Sequence, residues 1–167
     1  MEKIILSEQS IYYGDVLMPK GFEIDHKKLF DDVLKSHITN KKLIYSSNYN
    51  NLETYIREHI KCDYGKGLVP KKRWGNIYKP QELSEPLLNI EKMDLANSAD
   101  FTLLYGVEAN ECLIRIYYDD TRRHQNNWEI KLDKGMFIMS LSSNTYIIKN
   151  NQKESLNNIL TITYEYV

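Results

Sequence analysis

Hydrophobic positions recur at helical spacing in the first part of the chain. Asp25 can cap a helix, and an apolar stripe follows it at Leu29, Phe30, Val33 and Leu34. The segment "NNLETYIREHIKC" repeats the pattern, with Asn50 or Asn51 as its expected cap. The pattern therefore predicts two helices.

From Phe101 onward the period changes to two, which is typical of β-strands. Each of three stretches predicts two strands joined by a polar turn: "DFTLLYGVEANECLIRIYYDD", "NWEIKLDKGMFIMSLSS" and "TYIIKNNQKESLNNILTITYEYV". Near the N-terminus, "KIILSEQSIYYGDVLMP" predicts one or two short strands broken at Gly14 and Asp15, and "KKLIYS" predicts another. Short strands after a helical segment favour an α+β fold, with an antiparallel sandwich or barrel core and helices packed outside it.

Residues 63–98 follow neither period. Glycines at 65, 67 and 75 and prolines at 70, 80 and 86 disfavour long regular elements. We therefore expect an ordered loop here. The whole chain, 1–167, is interpreted as one domain: a strand and helix segment (1–62), this loop (63–98) and a β core (99–167).

Composition excludes some classes of partner. The 167 residues carry a net charge of -1, so no global positive field attracts nucleic acid or anionic lipid. No segment reaches the ~18 apolar residues of a membrane span, and the N-terminus does not resemble a signal peptide. Cys62 and Cys112 form no CxxC pair, which favours reduced thiols in the cytoplasm over a disulfide.

The stretch "IYYDDTRRH", residues 116–124, concentrates charge at the end of an apolar run. We favour the solvated tip of a β-hairpin, because mixed charges at such a tip pair only loosely. Alternatively, His124 and either Asp119 or Asp120 bind a divalent metal, although iron and zinc sites usually use three ligands that include imidazole. A third interpretation is a surface that contacts a partner.

The stretch "KKRWGNIYK" interleaves basic and aromatic residues. Lys71, Lys72, Arg73 and Trp74 could bind single-stranded nucleic acid. We favour a segment whose aromatic rings fill the core while its lysine stems lie along the surface. The stretch "GKG" lacks the spacing of a phosphate-binding loop, and neither cysteine has a neighbouring base. No catalytic residue is therefore assigned.

The β half of the chain resembles a known family. "NECLIRIYYDD", "WEIKLDKGMFIMSLSSNTYIIKNNQ" and "SLNNILTITYEYV" look like the C-terminal half of the double-stranded β-helix in 2-oxoglutarate/iron(II) dioxygenases, in particular the prolyl-hydroxylase-like and related short versions of tailed marine phages. This resemblance implies a jelly-roll core. It also implies Fe(II) and 2-oxoglutarate, held by a His-x-Asp/Glu pair, a distal histidine and a basic residue on the final strand.

The chain departs from that family at each of these positions. It contains no His-x-Asp or His-x-Glu. Tyr146 and Ile147 stand where the distal histidine is expected, and Thr161 and Thr163 where the basic residue is expected. These departures indicate a fold kept without its iron chemistry and without a cofactor.

We therefore expect a non-catalytic binding or structural module, such as a phage virion, assembly or accessory protein in the host cytoplasm or the virion. It would bind a protein partner or self-assemble through the β surface and the 65–90 loop, and nucleic acid and membrane are disfavoured as partners. The expected contact residues are Trp74, Tyr78, Tyr117, Tyr118, Arg122 and Arg123. The alternative is a cupin or dioxygenase-type enzyme whose unconventional metal site draws on some of Asp119, Asp120, His124, Glu108 and Tyr117.

Overall fold

The computed structural model of the protein describes residues 9–16, 23–40, 47–64, 67–121 and 124–166, with the side chains of 47–49, 59–64, 119–121 and 124–125 left out. The short strand expected in "KKLIYS" lies outside these residues. None of the described helices has the length and apolar character needed to cross a bilayer.

Helix α1 (His26–Thr39) confirms the first helix prediction. The Asp25 side chain accepts a hydrogen bond from the backbone N–H of Lys28 at 3.1 Å, as an N-cap does. Asn40 ends the helix in the left-handed conformation, with φ 49°. Helix α2 (Ser47–Tyr64) begins before its expected caps. Asn51 is instead inside the helix, where its amide donates to the carbonyl oxygen of Glu23 at 3.1 Å.

Within the described residues, eight strands form two antiparallel sheets. Their bounds are β1 Tyr12–Asp15, β2 Leu68–Tyr78, β3 Phe101–Glu108, β4 Cys112–Thr121, β5 His124–Leu132, β6 Met136–Leu141, β7 Thr145–Asn150 and β8 Asn157–Tyr166. The larger sheet has the order β1-β6-β3-β8-β2, and the smaller sheet the order β5-β4-β7. The jelly-roll core with two helices is thereby confirmed.

The connections between strands alternate between the sheets. From β3 to β8, only the β4–β5 connection joins neighbours in one sheet. The turns "EAN", "LDKG" and "NNQKES" therefore carry the chain across the sandwich and do not close hairpins. This alternate winding defines the jelly roll.

The expectation of a loop over residues 63–98 is wrong for 68–78, which form β2 and pair with β8. Pro70 is compatible with the strand because the register shifts there, between Pro70 and Lys72. Gly75 is required where α1 crosses β2, since a Cβ there would lie 2.6 Å from the Cα of Val33. Gly14 and Asp15 likewise do not interrupt β1.

Two apolar cores flank the larger sheet. Its outer face packs on the helices, where Leu29 and Ile56 meet Leu103 and Ile162. Its inner face packs on the smaller sheet, as Leu104, Ile138 and Ile159 join Ile114, Ile116 and Ile148. Because side chains alternate between the two faces of β3 and β8, these strands contribute to two cores, one facing the helices and one inside the barrel.

Candidate binding site at the mouth of the barrel

A row of polar residues crosses the inner face of the larger sheet. Lys72 lies opposite Thr163, Thr163 opposite Thr102, and Thr102 opposite Ser140. Paired residues project to the same face, so these four form a hydroxyl row that ends in an ammonium group. The row lies at the end of the barrel where β3 begins and β8 ends, which we call the mouth. Its three hydroxyl residues are buried.

A hydrogen-bonded cluster of side chains includes Thr102 of this row. The Asn89 amide nitrogen donates to Thr102 Oγ1 at 3.1 Å and to Tyr146 Oη at 3.0 Å. Thr102 Oγ1 also lies 2.8 Å from Ser142 Oγ. We call Asn89, Thr102, Ser142 and Tyr146 the hydroxyl cluster. Burial raises the pKa of Tyr146 to about 12, although the hydrogen bond from Asn89 opposes this. At neutral pH the phenol therefore keeps its proton.

A cavity of about 240 Å³, the mouth cavity, opens beside the cluster. Its polar and aromatic lining includes Lys71, Lys72, Trp74, Asn89, Glu91 and Thr163. Two consecutive lysines line it because the bulge after Pro70 interrupts the alternation of side chains along β2. Lys72 forms an ion pair with Glu91, and Lys71 Nζ lies 3.5 Å from the carboxylate of Glu165. The lysines of the cavity are thus matched by carboxylates.

Three buried hydroxyl groups on β8 lack a hydrogen-bond partner within the described part of the chain: those of Thr161, Thr163 and Tyr164. Leaving a buried polar group unpaired costs about 1–3 kcal/mol. Thr163 borders the mouth cavity, so a ligand oxygen or amide could satisfy its hydroxyl.

A second cavity of about 380 Å³ lies between β1 and β5. Its lining is aromatic and amide-rich: Gln9, Ile11, Tyr13, Tyr118, Trp128 and Asn144. Tyr13 and Trp128 are 59% and 55% exposed. Tyr118, which the sequence indicates as a contact residue, therefore lies in an aromatic surface that also includes Tyr13 and Trp128.

The stretch "IYYDDTRRH" lies at the β4–β5 connection. The backbones of Asp119 and His124 belong to the paired ends of these strands, with Thr121 opposite His124. The hairpin part of the prediction is confirmed. The side chains of Asp119, Asp120 and His124, and all of Arg122 and Arg123, lie outside the described residues, so metal or partner binding by them stays a prediction.

Glu108 cannot join a metal site with those carboxylates. It ends β3 at the far end of the barrel, where Lys134 Nζ donates to it at 2.9 Å. Asp119 lies seven residues along β4 from Cys112, or about 23 Å at the usual rise of a strand. The grouping of Glu108 with Asp119 and Asp120 in the enzyme alternative is therefore wrong.

The remaining expected contact residues differ in exposure. Trp74 is half-buried in the wall of the mouth cavity, and Tyr117 is half-buried on β4. Tyr78 is only 6% exposed and belongs to the core between the sheets, where burial raises its pKa. Tyr78 as an exposed anchor is therefore wrong, because its ring projects into the barrel.

Neither described histidine side chain lines the mouth cavity, although His37 lines a further cavity to which Lys72 and Trp74 also belong. His26 Nε2 is 3.4 Å from the hydroxyl of Tyr105, and His37 Nδ1 is 3.3 Å from the backbone nitrogen of Ile77. Among the described residues, no three His, Cys, Asp or Glu side chains group as a metal site. Cys112 is buried, which raises its pKa to about 12 and keeps the thiol protonated.

Comparison with known proteins identifies the fold. No family profile and no curated protein matches the sequence. A prolyl-4-hydroxylase from Pseudomonas putida is similar in structure, with a TM-score of 0.63 and 9% identity over 94% of this chain and 85% of that one. The viral collagen prolyl hydroxylase of Paramecium bursaria Chlorella virus-1 gives 0.61 and 14%, over 92% and 94%. The α-ketoglutarate-dependent epimerase SnoN gives 0.64 and 8%, over 94% and 78%. The chain thus has the double-stranded β-helix fold of these oxygenases.

With this fold established, the residues at the mouth can be compared with the metal ligands that the resemblance implies. Tyr146 stands where the resemblance places the distal histidine, and Asn89 is hydrogen-bonded to it. Asn89 and Glu91 have the spacing of the family's His-x-Asp/Glu pair, and both border the mouth cavity. A carboxamide and a protonated phenol are poor ligands for Fe(II) compared with imidazole. Among the described residues, Asn89 and Tyr146 therefore do not fit the histidine ligands of the iron centre that the resemblance implies.

Asn89 and Glu91 were missed at the level of sequence. The resemblance implies an imidazole in the pair, and the two residues fall in the 63–98 segment, for which a loop was expected. The spacing Asn-x-Glu was the available signal. It becomes informative only once the structure brings Asn89 against Tyr146.

Proposed function

We propose that the protein is a binding module that uses the double-stranded β-helix fold without its iron chemistry. One observation carries this proposal: the Asn89 amide donates a hydrogen bond to Tyr146 Oη. Tyr146 stands where the resemblance implies the distal histidine, and Asn89 begins an Asn-x-Glu stretch with the spacing of the family's His-x-Asp/Glu pair. This hydrogen bond links two neutral side chains, so the hydroxyl cluster would stabilise the mouth without a metal ion.

The module would recognise its partner directly through the mouth and the surface around it. The hydroxyl row and the ion pair of Lys72 with Glu91 supply polar contacts, and Tyr13, Tyr118 and Trp128 supply aromatic area. Aromatic side chains are common anchors in protein interfaces. A protein partner or a second copy of the chain suits the aromatic surface, and a small ligand suits the mouth cavity.

The setting of the module is part of the same proposal. The sequence is rich in Asn, Lys, Ile and Tyr, which favours an AT-rich genome such as that of a phage. A virion, assembly or accessory protein acting in the host cytoplasm is consistent with this composition and with the paucity of cysteine.

The alternative is a metal-dependent oxygenase with an unconventional site. The shared fold favours it, and Asp119, Asp120 and His124 at the β4–β5 hairpin are its remaining candidate ligands. The two functions differ in whether Fe(II) and 2-oxoglutarate bind.

The test is metal analysis by mass spectrometry of protein purified anaerobically without chelator, together with a titration of Fe(II) and 2-oxoglutarate against melting temperature. We expect no stoichiometric metal and no shift, because the hydroxyl cluster offers no imidazole. Stoichiometric iron, or stabilisation by Fe(II) with 2-oxoglutarate, would contradict the proposal.

Replacement of Asp119 and Asp120 by alanine tests the hairpin directly. If the hairpin is a solvated tip, the melting temperature changes little and to the same extent with and without Fe(II), since loosely paired surface charges contribute about 0–1 kcal/mol. An Fe(II)-dependent shift that the double variant loses would assign the metal to the hairpin and support the enzyme.

A further inference from the structure

We infer that the mouth cavity binds a small zwitterion of the α-amino acid type, with its carboxylate on Lys72 and Thr163 and its ammonium group on Glu91. This inference rests on the proposed function, because it assigns to the cavity a ligand that is bound by side chains alone.

The first support is the Thr163 hydroxyl. Thr163 is 2% exposed, borders the cavity and has no hydrogen-bond partner for Oγ1 among the described residues. Its neighbour in the row, Thr102, is equally buried but contacts both Asn89 and Ser142. Buried polar groups in proteins are nearly always paired, so an unpaired one beside a cavity points to a ligand. The carboxylate of a ligand would accept this hydrogen bond.

The second support is the arrangement of charge. Lys72 lies directly opposite Thr163 on the neighbouring strand, so its ammonium and that hydroxyl serve the same side of the cavity. Glu91 forms an ion pair with Lys72, and both side chains are partly exposed, at 49% and 39%. An exposed ion pair of this kind contributes little to stability and can open at little cost. A ligand with one positive and one negative group would restore both interactions.

The balance of charge argues against a ligand of a single sign. Lys71, the other cation of the cavity, lies near the Glu165 carboxylate and donates to the backbone oxygen of Asn97. The lysines are thereby matched by carboxylates, so a dicarboxylate would meet repulsion from Glu91 and Glu165. A zwitterion meets no such penalty.

Size and apolar lining agree with an amino acid. The cavity of about 240 Å³ falls below the roughly 300–1,000 Å³ typical of drug-sized ligands. Trp74, Leu88 and Ile90 form its apolar wall. An amino acid could place its side chain against this wall while its charged end meets Lys72 and Glu91.

The experiment screens the full chain against each standard L-amino acid at millimolar concentration, by thermal shift and then calorimetry. For the tightest binder, the matched probes are its carboxamide, which lacks the carboxylate, and the corresponding acid without the amino group. Succinate and 2-oxoglutarate are included as dicarboxylates, with and without Fe(II). We expect at least one amino acid to bind, and each truncated probe to bind about tenfold more weakly or not at all.

The variants locate the site. Lys72→Met, Glu91→Gln and Thr163→Val should each weaken binding about tenfold. Lys134→Met removes a comparably exposed lysine, paired with Glu108 at the far end of the barrel, and should leave affinity unchanged. Thr161→Val removes the other unpaired threonine hydroxyl and is the matched control for Thr163→Val. Since valine closely matches threonine in shape, Thr163→Val remains informative if a charge variant fails to fold.

Several outcomes would overturn the inference: no amino acid binds, the acid without an amino group binds equally well, or Thr163→Val and Glu91→Gln bind as the parent does. If these occur while Fe(II) has no effect, the zwitterion alone is wrong and the metal-free module stands. Binding of 2-oxoglutarate that requires Fe(II) would instead refute the proposed function itself.

Discussion

The raised pKa of Tyr146 shows how strongly burial affects the ionisation of a single side chain. Among the described tyrosines, four have strongly raised pKa values, and burial is the main cause in each case: Tyr78, Tyr105, Tyr146 and Tyr164. A buried phenol must leave the core before it can ionise. These hydroxyl groups therefore link the stability of the fold to alkaline pH.

We predict that the free energy of unfolding decreases between pH 10 and pH 12. The pKa of Tyr146 rises from 10.0 in the unfolded chain to about 12 in the fold, so its contribution is complete below pH 10 and is lost as pH rises through 12. That contribution is about 2–3 kcal/mol. In urea unfolding across this range, Tyr146→Phe should lose stability less steeply than the parent. Equal slopes would contradict the burial of this hydroxyl.

At the same scale, sequence reasoning succeeded only where a single position could be compared with the resemblance. Tyr146 and Thr163 were singled out because they replace residues with a known role, and both lie at the mouth. Tyr78 was misjudged because a tyrosine's exposure depends on the direction in which its strand faces. That direction was unknown while β2 was interpreted as a loop.

At the scale of elements, local signals were reliable and long-range pairing was not. Helix α1 follows from Asp25 and an apolar stripe within one turn or two, which are interactions between near neighbours. Strand β2 pairs with β8, more than eighty residues later in the chain. Its glycine and proline disfavour a strand locally, and only the contacts with α1 and β8 outweigh them.

Gly75 provides a test of this element packing. Gly75→Ala should reduce the free energy of unfolding by about 1–3 kcal/mol, because its Cβ would lie 2.6 Å from the Val33 backbone and force α1 away from β2. Gly14→Ala is the matched control in β1, where the nearest atom, on Phe137, is 3.8 Å away. We expect it to stay within about 0.5 kcal/mol of the parent. Denaturant unfolding checks both, and equal effects would mean that helix contact does not select glycine at 75.

At the scale of the whole molecule, the fold can be tested separately from the residues that line its mouth. The scaffold holds Asn89, Glu91 and Tyr146 around one mouth, with Tyr146 where the resemblance implies the distal histidine and Asn89-x-Glu91 at the spacing of the His-x-Asp/Glu pair. If these positions have the geometry that the resemblance implies, imidazoles placed at 89 and 146 should create a metal site.

We predict that Asn89→His combined with Tyr146→His binds Ni(II) or Co(II), which the parent does not, by calorimetry under anaerobic conditions. Two imidazoles and the Glu91 carboxylate would then complete a two-histidine, one-carboxylate set. Glu91→Gln in the double-histidine background is the control and should weaken binding strongly. If the double variant folds, by circular dichroism, and binds no metal, the assignment of these positions is wrong.

The place of β8 within the larger sheet has a consequence for biosynthesis. It is the last made of the eight strands, yet it lies between β3 and β2. During synthesis on a ribosome, β2 is therefore made long before its partner β8, whereas β3 and β6 can already pair. The barrel can close only after residues 157–166 have emerged, so nascent chains shorter than this are the forms that most need protection by chaperones.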